Sequence, residues 1–214
     1  MAAGEFRLHQ IRVGGQFTVH IQEGLDSMRI TIKLLAFIIC ETFLATFAWA
    51  QTCQTDAIEE STPTSRFSFD ESGLVTDNET GIIWMRCALG QTWDGTTCSG
   101  KANTYDWQDA MDEAKKINSS RLGGHSDWRL PYIPELASIV ERQCFNPRVN
   151  LAVFPGTPSI TFWSGMERMG NANMAYALDF GGGNAEPTDK TVKGAVRLMH
   201  DGPKGPWWKM PKMH

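Results

Sequence analysis

The chain has 214 residues, with 24 acidic side chains against 20 basic ones and a net charge of −4. This balance excludes nucleic-acid binding by overall charge, since that function leaves a basic patch. Any polyanion would have to find a local cluster of cations.

The first recognisable segment is a targeting signal. Met28, Arg29 and Lys33 give a positive start, Leu34 to Cys40 an apolar run, and Ala48-Trp49-Ala50 a small-x-small cleavage site. Export with removal of residues 28–50 is the expectation, which leaves no stable membrane insertion. A retained anchor is the alternative, but Glu41 interrupts the apolar run, and a carboxylate at mid-bilayer costs about 2.5–3.5 kcal/mol. Residues 1–27 show no clear periodicity around Arg7, Arg12, Glu23 and Asp26, so Met28 is an alternative start. From Gln51 onward about 160 residues remain, enough for one domain with its own core.

Loss of Cys40 with the signal leaves Cys53, Cys87, Cys98 and Cys144, an even set for an oxidising compartment, so two disulfides are expected. Such a set allows three connectivities. The preferred one joins Cys87 to Cys98 around a short polar loop, worth roughly 3 kcal/mol by chain entropy, and leaves Cys53 with Cys144. A thiolate metal site is the competing reading. It lacks a C-x-x-C spacing, and after Ala50 the only imidazoles are His125, His200 and His214.

Gln51 to Arg66 is polar and reads as a lead-in tethered only by Cys53. Phe67–Phe69 and Leu74–Thr76 have strand character, the acidic turn 77–81 follows, and Ile82–Met85 is a further strand. The clearest helix carries Trp107, Ala110, Met111, Ala114 and Ile117 on one face, with Asp106 placed to cap it and Gly123-Gly124 ending the connection beyond. Asp112 and Lys116, four apart, make a minor surface pair. A second helix starts after Leu130-Pro131, with Ile133, Leu136, Ile139 and Val140 inward and Pro134 in its first turn. With Tyr132 as cap and Glu135 at the third position, the capping box is incomplete.

After Cys144 the chain is irregular to Pro158, then returns to strands at Phe162–Ser164 and Ala175–Phe180. Gly181 to Asn184 turns the chain, and Ala195 to Met199 closes the sheet. Two helices among many short strands and long loops make a single α+β domain over 67–200. The tail 201–214 mixes prolines, lysines and tryptophans and is expected to be flexible.

Trp128, Arg129, Pro131, Glu135 and Leu136 pack an aromatic, a cation and a rigid turn ahead of a helix. The favoured reading is an internal brace, with the guanidinium on a carboxylate and backbone carbonyls, because a buried Arg must be paired. Arg197 would serve a similar brace or lie exposed. Trp84 and Trp107 belong to the core by their apolar surroundings, and Trp163 adds to the aromatic content. Trp93 and Asp94, in the polar loop between Cys87 and Cys98, are the candidates for ligand contact. Asp77, Glu79 and Asp94 could supply oxygens to calcium, though ordinary turns favour the same residues. No catalytic constellation is found: Ser164 lies outside a nucleophile elbow, and His125, Ser126 and Asp127 are adjacent rather than convergent. Asn78 and Asn118 head glycosylation-type sequons.

Thr80 to Trp84, Gly90 to Gly95, Ser126 to Pro131 with Glu135-Leu136, Phe162 to Ser164, and Val196 to Leu198 occur in order. Together they resemble the DUF1566 family, also called the Lcl C-terminal domain after a collagen-like bacterial surface adhesin, from about Phe67 to Met199. The resemblance implies a C-type-lectin-like fold of the formylglycine-generating-enzyme kind. It also implies a secreted, surface or periplasmic binding module for a glycan or sulfated polysaccharide. Alternatives are a related oxidase or maturation factor, which would need a reduced cysteine pair able to hold copper, and a periplasmic domain whose partner is an envelope protein.

Overall fold

Residues 51–203 are described by the structure, a computed structural model. The targeting signal, the residues before it, Cys40, His214 and nearly all of the tail lie outside them. In chain order the elements are β1 (Thr52–Cys53), β2 (Phe67–Phe69), β3 (Leu74–Asp77), β4 (Ile83–Met85), β5 (Thr92–Trp93), β6 (Cys98–Ser99), α1 (Trp107–Ser120), α2 (Ile133–Ser138), β7 (Cys144–Phe145), β8 (Thr161–Glu167), β9 (Met174–Asp179), β10 (Ala185–Asp189) and β11 (Met199–His200). One antiparallel sheet has the order β11-β4-β3-β2 and another β10-β9-β8, with small ribbons β1-β7 and β5-β6. This is the expected α+β fold, closed by the preferred disulfides Cys53–Cys144 and Cys87–Cys98. Such bridges suit an oxidising compartment outside the cytoplasm. Among the described residues no helix is long and apolar enough to cross a membrane.

Asp106 caps α1 by accepting the Asp109 N–H at 2.9 Å, and Trp107, Ala110 and Ala114 are buried as their spacing requires. The helix stops at Arg121, in a left-handed conformation, before the two glycines. Its surface pairing differs from expectation. Lys115 bonds Asp112 and Lys116 bonds Glu113, three apart instead of four, so Asp112 and Lys116 interact only through their charges and not by a direct bond. α2 is also shorter than its apolar pattern suggests: Ile139 is buried as the cap, and Val140 has left the helix to bridge Val149. β10 is an addition. Pro187 argues against a strand in sequence, yet β10 lies at the sheet edge, where a missing N–H is tolerated.

The lead-in is held by far more than Cys53. β1 pairs with β7, Gln51 Nε2 donates to the carbonyls of Pro147 and Val149, and Asn150 Nδ2 donates to the Thr62 carbonyl. Glu141, buried, accepts from the backbone N–H groups of Ser61 and Thr62 and from the Thr62 hydroxyl. Polar composition suggested a loose segment, but these donors and acceptors are satisfied by residues some 80–98 positions away.

The interior has two apolar clusters. One gathers Trp84, Leu136, Ile139, Phe154, Phe162 and Phe180; the other gathers Trp107, Trp128, Leu130, Trp163, Val196 and Leu198. The segment 195–199 runs between them, with Ala195 and Met199 in the first cluster and Val196 and Leu198 in the second. It also ties the two larger sheets together: Ala195 bridges Phe162 of β8, and Met199 pairs with Trp84 of β4.

Candidate functional site

The Cys87–Cys98 bridge fixes the loop that carries Trp93, whose strand partner is Cys98 itself. The Trp93 indole N–H donates to the Glu71 carbonyl at 3.2 Å. The Arg86 guanidinium lies 4.2 Å over the ring and 4.7 Å over Phe69, a cation–π stack. Arg86 is in turn held by the carbonyls of Val153 and Ala152, each at 2.9 Å. Burial lowers its pKa, while Asp70 acts in the other direction. Gly73, at φ +84°, completes the packing; a Cβ there would stand 2.6 Å from Trp93 Cγ, so only glycine permits both the turn and the approach.

Beside this stack is a groove of about 250 Å³ whose walls include Leu74, Met85, Gln91, Trp93, Leu122 and Gly123. No side chain in its lining is charged. Trp93 is half-buried, and one of its faces is covered by Arg86. The indole therefore offers a rim to the groove and not a freely displayed plate. Asp94 closes the β5–β6 turn: its Oδ1 accepts from the backbone N–H groups of Thr97 and Thr96, which hold its carboxyl below the usual range.

The acidic turn is built around an ion pair. Asp77, fully buried, takes Arg66 at both oxygens, and Glu79 adds a contact at 3.2 Å. Among the described residues no group of three metal-ligating side chains includes Asp77, Glu79 or Asp94.

Arg129 forms the expected brace. Its guanidinium meets Glu135 in a bidentate pair at 2.8 and 2.7 Å, the Leu130 carbonyl at 3.2 Å and, beyond expectation, Asp201 at 2.6 Å. Glu135 also accepts the Tyr132 N–H at 2.6 Å, so one carboxylate starts α2 and neutralises the arginine. The Pro131 carbonyl receives the Gly165 N–H, and Leu136 is fully buried. Trp84, Trp107, Trp128 and Trp163 are all core residues; the indoles of Trp107, Trp128 and Trp163 donate to the carbonyls of Ser164, Leu122 and Tyr105. Asn118 clasps the backbone of Trp128 through both ends of its amide, so its sequon is structural.

Arg197 is an internal brace and not exposed, but it differs from the brace at Arg129. It is completely buried, and it has no carboxylate partner among the described residues. Its guanidinium donates to the carbonyls of Met85 and Arg86 and to the Thr157 hydroxyl, and it lies 4.7 Å over the Phe154 ring. Burial brings its pKa down to about 9, still protonated at neutral pH. Arg86 is the residue that sequence reasoning missed: it backs the Trp93 ring without entering the groove lining, and its one signal is a lone cation between Met85 and Cys87.

A family model, the Lcl C-terminal domain, matches residues 73–200 of this chain. No curated protein matches it.

Proposed function

Because the chain belongs to the Lcl C-terminal domain family, we propose that its folded part is an exported recognition module that takes the edge of a neutral glycan in the groove beside Trp93. The observation that carries this reading is the groove itself, with an indole rim on a disulfide-closed loop and an uncharged lining. A loop fixed before binding loses little freedom on binding, which favours affinity from a small contact. The apolar rim of the indole suits the C–H edge of a sugar, its N–H being already held by the Glu71 carbonyl. A sulfated polysaccharide gains no ion pair from this lining, so the neutral class is favoured over the polyanionic one.

The oxidase alternative needs a reduced thiol pair, and the four cysteines of the folded part are joined in two bridges, which supports recognition over oxidation. A glycan array probed with the full chain and with Trp93→Ala tests the proposal. Retention on neutral glycans that the variant loses is the expected result. No retention, or equal retention by the variant, overturns it; retention on heparin alone at low salt moves the site to surface cations elsewhere.

A further inference from the structure

Three side chains that sequence spacing kept apart as metal ligands are brought together by the end of the sheet. Arg129 and Met199 exchange backbone hydrogen bonds at 2.9 and 3.1 Å, an antiparallel bridge that sets Trp128 across from His200. The turn after α1 then lays His125 on His200, with ring centroids 4.0 Å apart and planes within 28°. The Trp128 ring meets the His200 ring edge-on, with centroids 4.8 Å apart. Asp127 reaches both imidazoles: its oxygens lie 4.0 Å from His125 Nδ1 and 3.8 Å from His200 Nδ1. One ligand atom from each of the three residues falls within 4.8 Å of the others.

These distances are too long for hydrogen bonds, so no proton is shared between the carboxylate and either ring. His200 Nδ1 accepts the Gly202 N–H at 3.3 Å. In the neutral ring the proton therefore sits on Nε2, and the single Nδ1 lone pair, taken here by the Gly202 N–H, is the donor that a metal would claim in its place.

We propose that His125, Asp127 and His200 form a binding site for a divalent cation of the zinc class. Two imidazoles and a carboxylate are a donor set of zinc sites that keep a fourth position open. Tetrahedral bonds of about 2.0–2.2 Å place donors roughly 3.3 Å apart, so the three must draw in by about 0.5–1.5 Å. Two of them have the freedom to do so, since the side chains of His125 and Asp127 are 39% and 64% exposed, while His200, at 2%, is the fixed anchor. The same exposure leaves the fourth position facing solvent. Calcium is disfavoured, because it takes six to eight oxygen ligands and this site offers nitrogen. Copper, nickel and cobalt follow zinc into such a site, copper most tightly.

The test is calorimetric titration of the metal-free full chain with zinc chloride, repeated with cobalt to read its visible absorption band. One cation per chain with a micromolar or tighter Kd is expected. His125→Ala and Asp127→Asn, both at exposed positions, should each weaken zinc binding at least about tenfold, while His214→Ala should leave it unchanged. Absence of zinc binding overturns the proposal. So does wild-type affinity in His125→Ala, which would assign the cation to other imidazoles of the chain, or binding of calcium in preference to zinc.

Discussion

Arg129 and Arg197 carry the same guanidinium into two regions of the molecule and are neutralised there by different means. At Arg129, burial opposes the charge, but the bonds to Glu135 and Asp201 outweigh it and hold the pKa above the usual value. At Arg197 two carbonyls, a hydroxyl and an aromatic face stand in for counter-charges. Glu141 is the anionic counterpart, a buried carboxylate held by N–H and O–H donors with no cation bonded to it among the described residues. The difference teaches that this fold accepts a buried charge wherever the backbone has already fixed several dipoles toward it, because prearranged dipoles need no further ordering.

Removing Arg197 should have the largest effect. Arg197→Ala opens a cavity against Phe154 and leaves three acceptors unpaired, at a cost of about 4–5 kcal/mol in denaturant unfolding. Arg197→Met sharpens the comparison, since it refills the volume but leaves the acceptors bare; about 2–3 kcal/mol is expected. Wild-type stability in that variant would mean that the dipoles contribute nothing. Glu135→Gln breaks the paired region instead. It keeps the shape and removes a charge, and with Asp201 still in place the loss should be about 2 kcal/mol by thermal or denaturant melting.

Glu141→Gln tests the anionic site, with an expected loss of about 1–2 kcal/mol. Its pH dependence has a definite sign. Burial raises the Glu141 pKa, but the N–H groups of Ser61, Gln143 and Thr62 outweigh it, so the folded value lies below the ordinary 4.5. A carboxylate depressed on folding contributes stability that is present in full above pH 4.5 and lost as pH falls through the folded value. Amide protection factors across residues 54–66, corrected for the intrinsic exchange rate, should fall below pH 4.5 in the wild type, and Glu141→Gln should remove that acid-dependent step. The smallest effect is expected from Asp201→Asn, less than about 1 kcal/mol, because that half of the Arg129 pair meets solvent.

Helix α1 was legible because its period is set by one buried face, whereas the short strands β2, β3, β4, β8 and β9 were legible from β-branched and aromatic runs bounded by turn residues, with β3, β8 and β9 burying adjacent residues. The brace at Arg129 was legible for a related reason: cation, turn and carboxylate lie within seven consecutive residues. Arg197 was not. Alternation across Val196-Arg197-Leu198 implies a solvent face, yet the segment is covered on both sides and has none. The lead-in was misread because its anchors, Glu141, Pro147 and Val149, are remote in the chain and leave no local pattern. At the groove the Trp93 loop was visible as a polar stretch between cysteines. Its opposite wall was not, for Leu122 and Gly123 reach it only through the turn that ends α1.

The segment 195–199 lies between two interiors and joins two sheets, and in chain order it supplies the last residues of both interiors. A ribosome that has produced everything up to Gly194 has supplied both halves of each interior without the piece that lies between them. The domain is therefore committed only once this segment is in place, and a nonsense codon ahead of Met199 would yield a protein exposing both halves to proteases rather than one merely shortened at its end.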